Sequence, residues 1–131
     1  MKVLLILLTL TISLLAEITY APSYKEALEQ AAKEDKLVMV MLSKEDCDAC
    51  WYMENVVFED KAIATRIMKN FVPLQLDIHN DYLHKLSYIG TPTFHFITAK
   101  EYKRFRHDGA ANVKEFNHII DEVLLLKSKS H

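Results

Sequence analysis

Glycine and proline are scarce, at two and three among 131 residues. Glycine-rich phosphate loops, collagen-like repeats and low-complexity linkers are thereby excluded. Two cysteines allow at most one internal disulfide and cannot supply a four-cysteine zinc site. Charge of one sign is lacking too: 16 Lys+Arg stand against 18 Asp+Glu, a formal −2 with six His neutral. Such a chain has no basic footprint, and no nucleic-acid partner is expected. What is plentiful is apolar residues, 50% against 26% charged, which suits one packed domain rather than disorder.

The longest apolar run comes first. Lys2 precedes Val3 to Ala16, 14 residues without a charge until Glu17. A positive start, a short hydrophobic stretch and a small closing residue read as a secretory signal peptide over 1–16. The run is shorter than the roughly 20 residues of a bilayer-spanning helix, and an uncleaved N-terminal tether is the alternative. Cleavage is expected after Ala16 rather than Ala21, because Pro22 follows the latter. Removing Lys2 leaves 15 bases against 18 acids, hence −3 over residues 17–131. Export would place both cysteines where disulfides persist.

The remainder alternates helix and strand signals. Ser23 and Glu26 form a capping box before Ala27, Leu28, Ala31 and Ala32, so a helix is expected over 23–35. Leu37 to Leu42 is a continuous apolar run suited to a strand buried on both faces. A polar turn then opens a helix whose buried face would hold Met53, Val56 and Val57, and Asp60 can cap another. Phe71 to Asp77 reads as a strand, with Pro73 arguing for an early or edge position. Asp81 to Tyr88 reads as a short helix. Strands over 93–98 and 101–106 join through a turn at Ala99-Lys100, and Asn112 with Glu115 caps a last helix to about Leu126. This order implies an α/β fold with strands of mixed direction.

Cys47-Asp48-Ala49-Cys50 puts two thiols at the junction of strand and helix. A CxxC there can close a small disulfide ring and leaves its first sulfur beside unpaired helix N–H groups, which favour thiolate. Cys47 would attack a disulfide, and Cys50, one turn inward, would resolve the mixed species. Two other uses stand beside this one. A zinc site would need His partners, and His79 with His84 offers the nearest spacing. A permanent bridge closing so short a loop would remove little entropy from the unfolded chain. Gly90-Thr91-Pro92 precedes the strand from Thr93; it is either ordinary turn chemistry or a cis-proline packed against the sulfurs.

Residues 23–126 resemble the thioredoxin superfamily, through the apolar strand before Cys47-x-x-Cys50 and through Gly90-Thr91-Pro92-Thr93. Cys47-x-x-Cys50-x-x-Met53-Glu54-x-x-x-Phe58-x-Asp60 is similar to the exported branch that includes the C-terminal domain of the thiol:disulfide interchange protein DsbD. The resemblance implies a three-layer α/β fold, its central mixed sheet flanked by helices. It also implies a redox-active Cys47–Cys50 pair as the catalytic residues, a cis Pro92, and Thr91 offering backbone groups to an extended substrate. With Thr91 and Pro92, Trp51 is the expected substrate-contacting residue. Neither an organic cofactor nor a metal is expected.

Three departures from the thioredoxin pattern bear on chemistry. Asp46 stands where tryptophan is usual before the first cysteine, Asp48-Ala49 replaces Gly-Pro, and Met41 falls where thioredoxins bury an acid. Glu45 or solvent would then take the resolving thiol's proton. Glu45, Asp46 and Asp48 crowd the sulfur with negative charge that opposes a thiolate, so a reducing or intermediate potential is expected. Expected partners are protein or small-molecule disulfides and a thiol–disulfide electron donor, which a membrane could hold. The protein is expected to be a periplasmic monomer. A redox-inert peptide-binding module and a soft-metal carrier are the competing readings. Tyr52, Phe94 and Phe96 read as core or half-buried cover, His95 as surface or core without a catalytic role, and Lys103-Arg104-Arg106-His107 as a solvated strand edge.

Overall fold

A computed structural model describes residues 16–130. The leader expected over 1–16 lies, apart from Ala16, outside the described residues. Strand β1 (Leu37–Ser43) is buried at every position, as its unbroken apolar run demands. It pairs in parallel with β2 (Phe71–Asp77) and antiparallel with β3 (Thr93–Ile97), which pairs antiparallel with β4 (Lys103–Asp108). The order β2-β1-β3-β4 makes β2 an edge, where Pro73 costs no central ladder bond. The carbonyl of Pro73 accepts from Ala21 N–H at 2.8 Å, so residues before the first helix strap that edge.

Strand alternation divides the core. Leu37, Met39 and Met41 face a cluster with Met53, Val57, Ile67 and Phe116, while Val38, Val40 and Leu42 face Tyr24, Ala27 and Ala31. Helix α1 (Tyr24–Glu34) therefore covers one face. Helices α2 (Asp48–Tyr52), α3 (Lys61–Asn70) and α4 (Val113–Lys129) cover the other. The result is the expected three-layer α/β arrangement around a mixed sheet. Caps act where the sequence places them. Ser23 Oγ accepts from Glu26 N–H, and Asp60 Oδ1 accepts from Ile63 N–H. Asn112 and Glu115 exchange both bonds of a capping box. At Ser23 the box is incomplete, because its hydroxyl donates to the Glu26 carboxylate in place of the backbone N–H.

Four local expectations need correction. Between α2 and α3, Met53–Val57 forms a π-helical turn, closed by Phe58 N–H on the Met53 carbonyl at 2.9 Å. The wider turn keeps Met53 and Val57 buried but rotates Val56 outward. Residues 81–88 are not a helix: His84 and Lys85 take φ of 51° and 62°, incompatible with one. The hairpin connection spans 98–102, where Thr98 captures Tyr102 and Glu101, so β4 begins at Lys103 and runs to Asp108. Helix α4 continues past Leu126 to Lys129.

The non-helical 81–90 segment is held by strand side chains. His95 Nε2 lies 2.7 Å from the Ser87 carbonyl, and Arg106 donates to Ser87 Oγ at 2.7 Å. Lys103 reaches the Lys85 carbonyl, and the Tyr24 ring stacks on His84 at 3.5 Å. A carbonyl only accepts, so Nε2 of His95 carries the proton, and its buried Nδ1 has no partner among the described residues. Burial pushes the His95 pKa below its usual value; the Ser87 bond opposes this, while Arg106 and Lys103 add to it. The folded state thus binds fewer protons at this ring than the unfolded chain, whose histidines titrate near about 6.5. This contribution is fully present above that pH and is lost as pH falls from there toward the folded value. Urea midpoints should therefore drop less between pH 7.5 and pH 5 in His95→Gln than in the unmodified protein, although the variant starts lower. Equal drops in both would refute the assignment.

Candidate active site

At the end of β1 the chain turns through Lys44, Glu45 and Asp46, all exposed, and Asp46 adopts φ 53°. Aspartate tolerates that left-handed conformation better than most residues. The turn sets Cys47 as the N-cap of α2, where its Sγ accepts from Cys50 N–H at 3.2 Å. Cys47 and Cys50 are joined as a disulfide with Cα atoms 5.2 Å apart. Their environments differ: Cys47 is half-buried, whereas Cys50 is 3% exposed and belongs to the core with Met41 and Met53.

The opposing wall is the segment entering β3. The Thr91–Pro92 peptide is cis, and Pro92 is buried. Thr91 Oγ1 donates to Cys47 Sγ at 3.3 Å, and the Thr91 carbonyl oxygen lies 3.6 Å from the same sulfur. Two bonds fix this wall: Thr93 Oγ1 donates to the Gly90 carbonyl, and Gly109 N–H donates to that of Pro92, each at 2.8 Å. Gly109 takes φ 89° to make its bond, a conformation that favours glycine.

The structure thus brings Cys47, Cys50, Thr91 and Pro92 together. Trp51, next to Cys50, faces solvent with 61% of its surface exposed. Phe94 and Phe96 lie wholly in the core, and Tyr52 packs half-buried against it. His95 projects to the other face of the sheet, away from the sulfurs. Arg104 is a solvated edge residue, as expected, whereas Lys103 and Arg106 secure the 81–90 segment. Among the described residues, no group of three or more His, Cys, Asp and Glu gathers around a metal position.

A polar cluster on the CxxC face escaped the sequence reading. Met41 is buried where thioredoxins place an acid, but one turn beyond Cys50 the half-buried Glu54 carboxylate accepts from Gln75 Nε2. Gln75 also donates to Ser43 Oγ at 3.1 Å. Burial, with Glu54 close by, pushes the Tyr20 phenol's pKa well up. Gln75 interrupts the apolar run from Phe71 to Leu76, the signal that could have marked it.

A CxxC disulfide at the start of a crossover helix, faced by a Thr-Pro wall from the next strand, defines the thioredoxin-fold class. The model of the thioredoxin-like domain matches residues 24–124, and the chain belongs to that family. A thioredoxin from Thermus thermophilus is 26% identical, with a TM-score of 0.68 over 78% of this chain and 84% of that one. DsbH oxidoreductase is 17% identical, with a TM-score of 0.69 over 90% and 93%. The oxidised C-terminal domain of Neisseria meningitidis DsbD is 16% identical, with a TM-score of 0.62 over 82% and 98%. A search of curated proteins found no match.

Proposed function

We propose that the protein is an exported thiol–disulfide oxidoreductase that reduces the disulfides of protein or small-thiol partners. The observation that carries this reading is the asymmetry of the pair. Cys47 is half-buried and its Sγ receives two hydrogen-bond donors, Cys50 N–H and Thr91 O–H, both of which favour a thiolate, while Cys50 is sealed in the core. The Cys47 thiolate attacks one sulfur of a partner disulfide, forming a mixed disulfide and releasing the other partner sulfur as thiolate. The Cys50 thiolate then attacks Cys47 Sγ, closing the internal disulfide and releasing the second partner thiol. Two electrons pass to the partner, and a separate dithiol donor restores the pair. Thr91, Pro92 and Trp51 form the substrate-contacting surface in this scheme, and no organic cofactor enters it.

The leader pattern in residues 1–16 supports export, and a periplasmic location, free or tethered, is the reading we attach to it. Among the described residues, no helix is long and apolar enough to cross a membrane. The reducing direction follows from opposing electrostatic terms. Two neutral donors favour the thiolate, while exposed Glu45, Asp46 and Asp48 oppose it. That balance falls short of the stabilisation separating a strong oxidant at about −120 mV from thioredoxin at about −270 mV. Equilibration with glutathione or dithiothreitol buffers, read by thiol alkylation, should give a potential below about −200 mV, with catalysed reduction of insulin by dithiothreitol. A potential near that of the strong oxidant would reverse the direction, and no insulin turnover would leave an inert bridge.

A further inference from the structure

One end of the sheet of this near-neutral chain gathers carboxylates around the sulfurs. β1 and β2 finish side by side at Ser43 and Asp77, where β3 begins and β4 ends, and the sulfurs sit at that pole. The chain leaving β1 there exposes Glu45 and Asp46, and Asp48 follows Cys47, also exposed. Asp81 is exposed just beyond β2. Cations at this pole are Lys44, Lys114 beside Glu115 at the start of α4, and an Arg106 already paired with Asp108 at 2.7 Å. At the opposite pole, where β1 and β2 start, exposed Lys33, Lys69, Lys100 and Arg104 are interspersed with exposed Glu34, Asp35 and Glu101. The formal −2 therefore hides a local crowding of carboxylates, Glu45, Asp46 and Asp48, next to the sulfurs. Two exposed apolar side chains adjoin the site's two walls in sequence: Trp51 beside Cys50, and Ile89, 86% exposed, two residues before Thr91.

We infer that this end selects disulfides by charge, taking cationic ones: small diamine disulfides, or protein segments with Lys or Arg beside the cysteine. The inference rests on the oxidoreductase reading above and names its substrate class. The argument is one of encounter and of the bound intermediate. A carboxylate rim of one sign raises the local concentration of cations and repels anions, most strongly at low salt. In the mixed disulfide the partner's charged groups are held within a few bonds of Cys47, so the same preference persists after attack. Trp51 and Ile89 offer apolar contact to the carbon skeleton, leaving charge as the discriminator.

The test uses the full chain, reduced and freed of reductant, mixed with cystamine, bis(2-hydroxyethyl) disulfide or dithiodiglycolate. Oxidation of the pair is followed by acid quenching and alkylation of the remaining thiols, counted by intact mass. Dividing each rate by that of 2-mercaptoethanol with the same disulfide removes intrinsic reactivity. The normalised rate for cystamine should exceed that for dithiodiglycolate by about tenfold at low ionic strength and fall toward unity in 0.5 M salt. The Glu45→Gln, Asp46→Asn, Asp48→Asn triple variant should lose most of the low-salt ratio. The salt dependence of the unmodified protein decides the matter even if that variant misfolds. Equal, salt-independent ratios would overturn the inference while leaving the oxidoreductase reading intact. Failure of every disulfide to oxidise the pair would overturn that reading instead.

Discussion

Replacing Cys50 with Ala should leave the protein covalently caught on its partners. Cys47 would still attack, since its accessibility and the Thr91 hydroxyl that faces it do not depend on the Cys50 side chain. With no second thiolate behind it, the mixed disulfide should persist for minutes to hours, the range of uncatalysed exchange. Cys47→Ala should show no adducts and no turnover above the uncatalysed background, because its remaining sulfur is 3% exposed. Non-reducing electrophoresis and intact-mass spectrometry after exposure to a disulfide-bonded protein would distinguish the two variants. Adducts formed by Cys47→Ala alone would reverse the roles assigned to the sulfurs, and adducts formed equally by both would refute the asymmetry.

The second large effect is on stability. Phe94 is fully buried two residues beyond Pro92, and its ring meets Phe58 and Phe116 edge-on at 6.1 and 5.3 Å. Those partners come from the segment after the CxxC helix and from α4, so one ring joins three elements behind the sulfurs. Phe94→Ala should cost about 3–5 kcal/mol, a large share of the roughly 5–15 kcal/mol by which a domain is stable. Tyr102→Ala, at a position 62% exposed, should stay within about 0.5 kcal/mol. Urea unfolding of both variants tests the contrast, and a Phe94→Ala loss below about 1 kcal/mol would show that the aromatic cluster is dispensable.

Physical signals of short range carried most of the fold into the sequence. The unbroken apolar run of β1 and the caps at Ser23, Asp60 and Asn112 are all properties of a few adjacent residues. So is the CxxC, whose three-residue spacing is itself the geometry of the disulfide. What stayed hidden depends on distant partners. Residues 81–88 have a composition compatible with a helix, and only His95, Lys103 and Arg106 from later strands explain why they form none. The π turn after Tyr52 rotates Val56 away from the face that α-helical counting assigns to it. The Ser43–Gln75–Glu54 cluster spans separations of 32 and 21 residues; the register of β1 with β2 brings Gln75 to Ser43, and the π turn after Tyr52 carries Glu54 to Gln75.

The strap along β2 bears on how the amino terminus would be matured. Ile18 packs against the cluster that contains Cys50, Tyr20 lies beside Glu54, and Ala21 is bonded to Pro73. A peptidase cutting after Ala16 would leave that covering in place. One cutting after Ala21 would strip it off, laying open an unprotected sheet margin next to the redox helix and inviting self-association there.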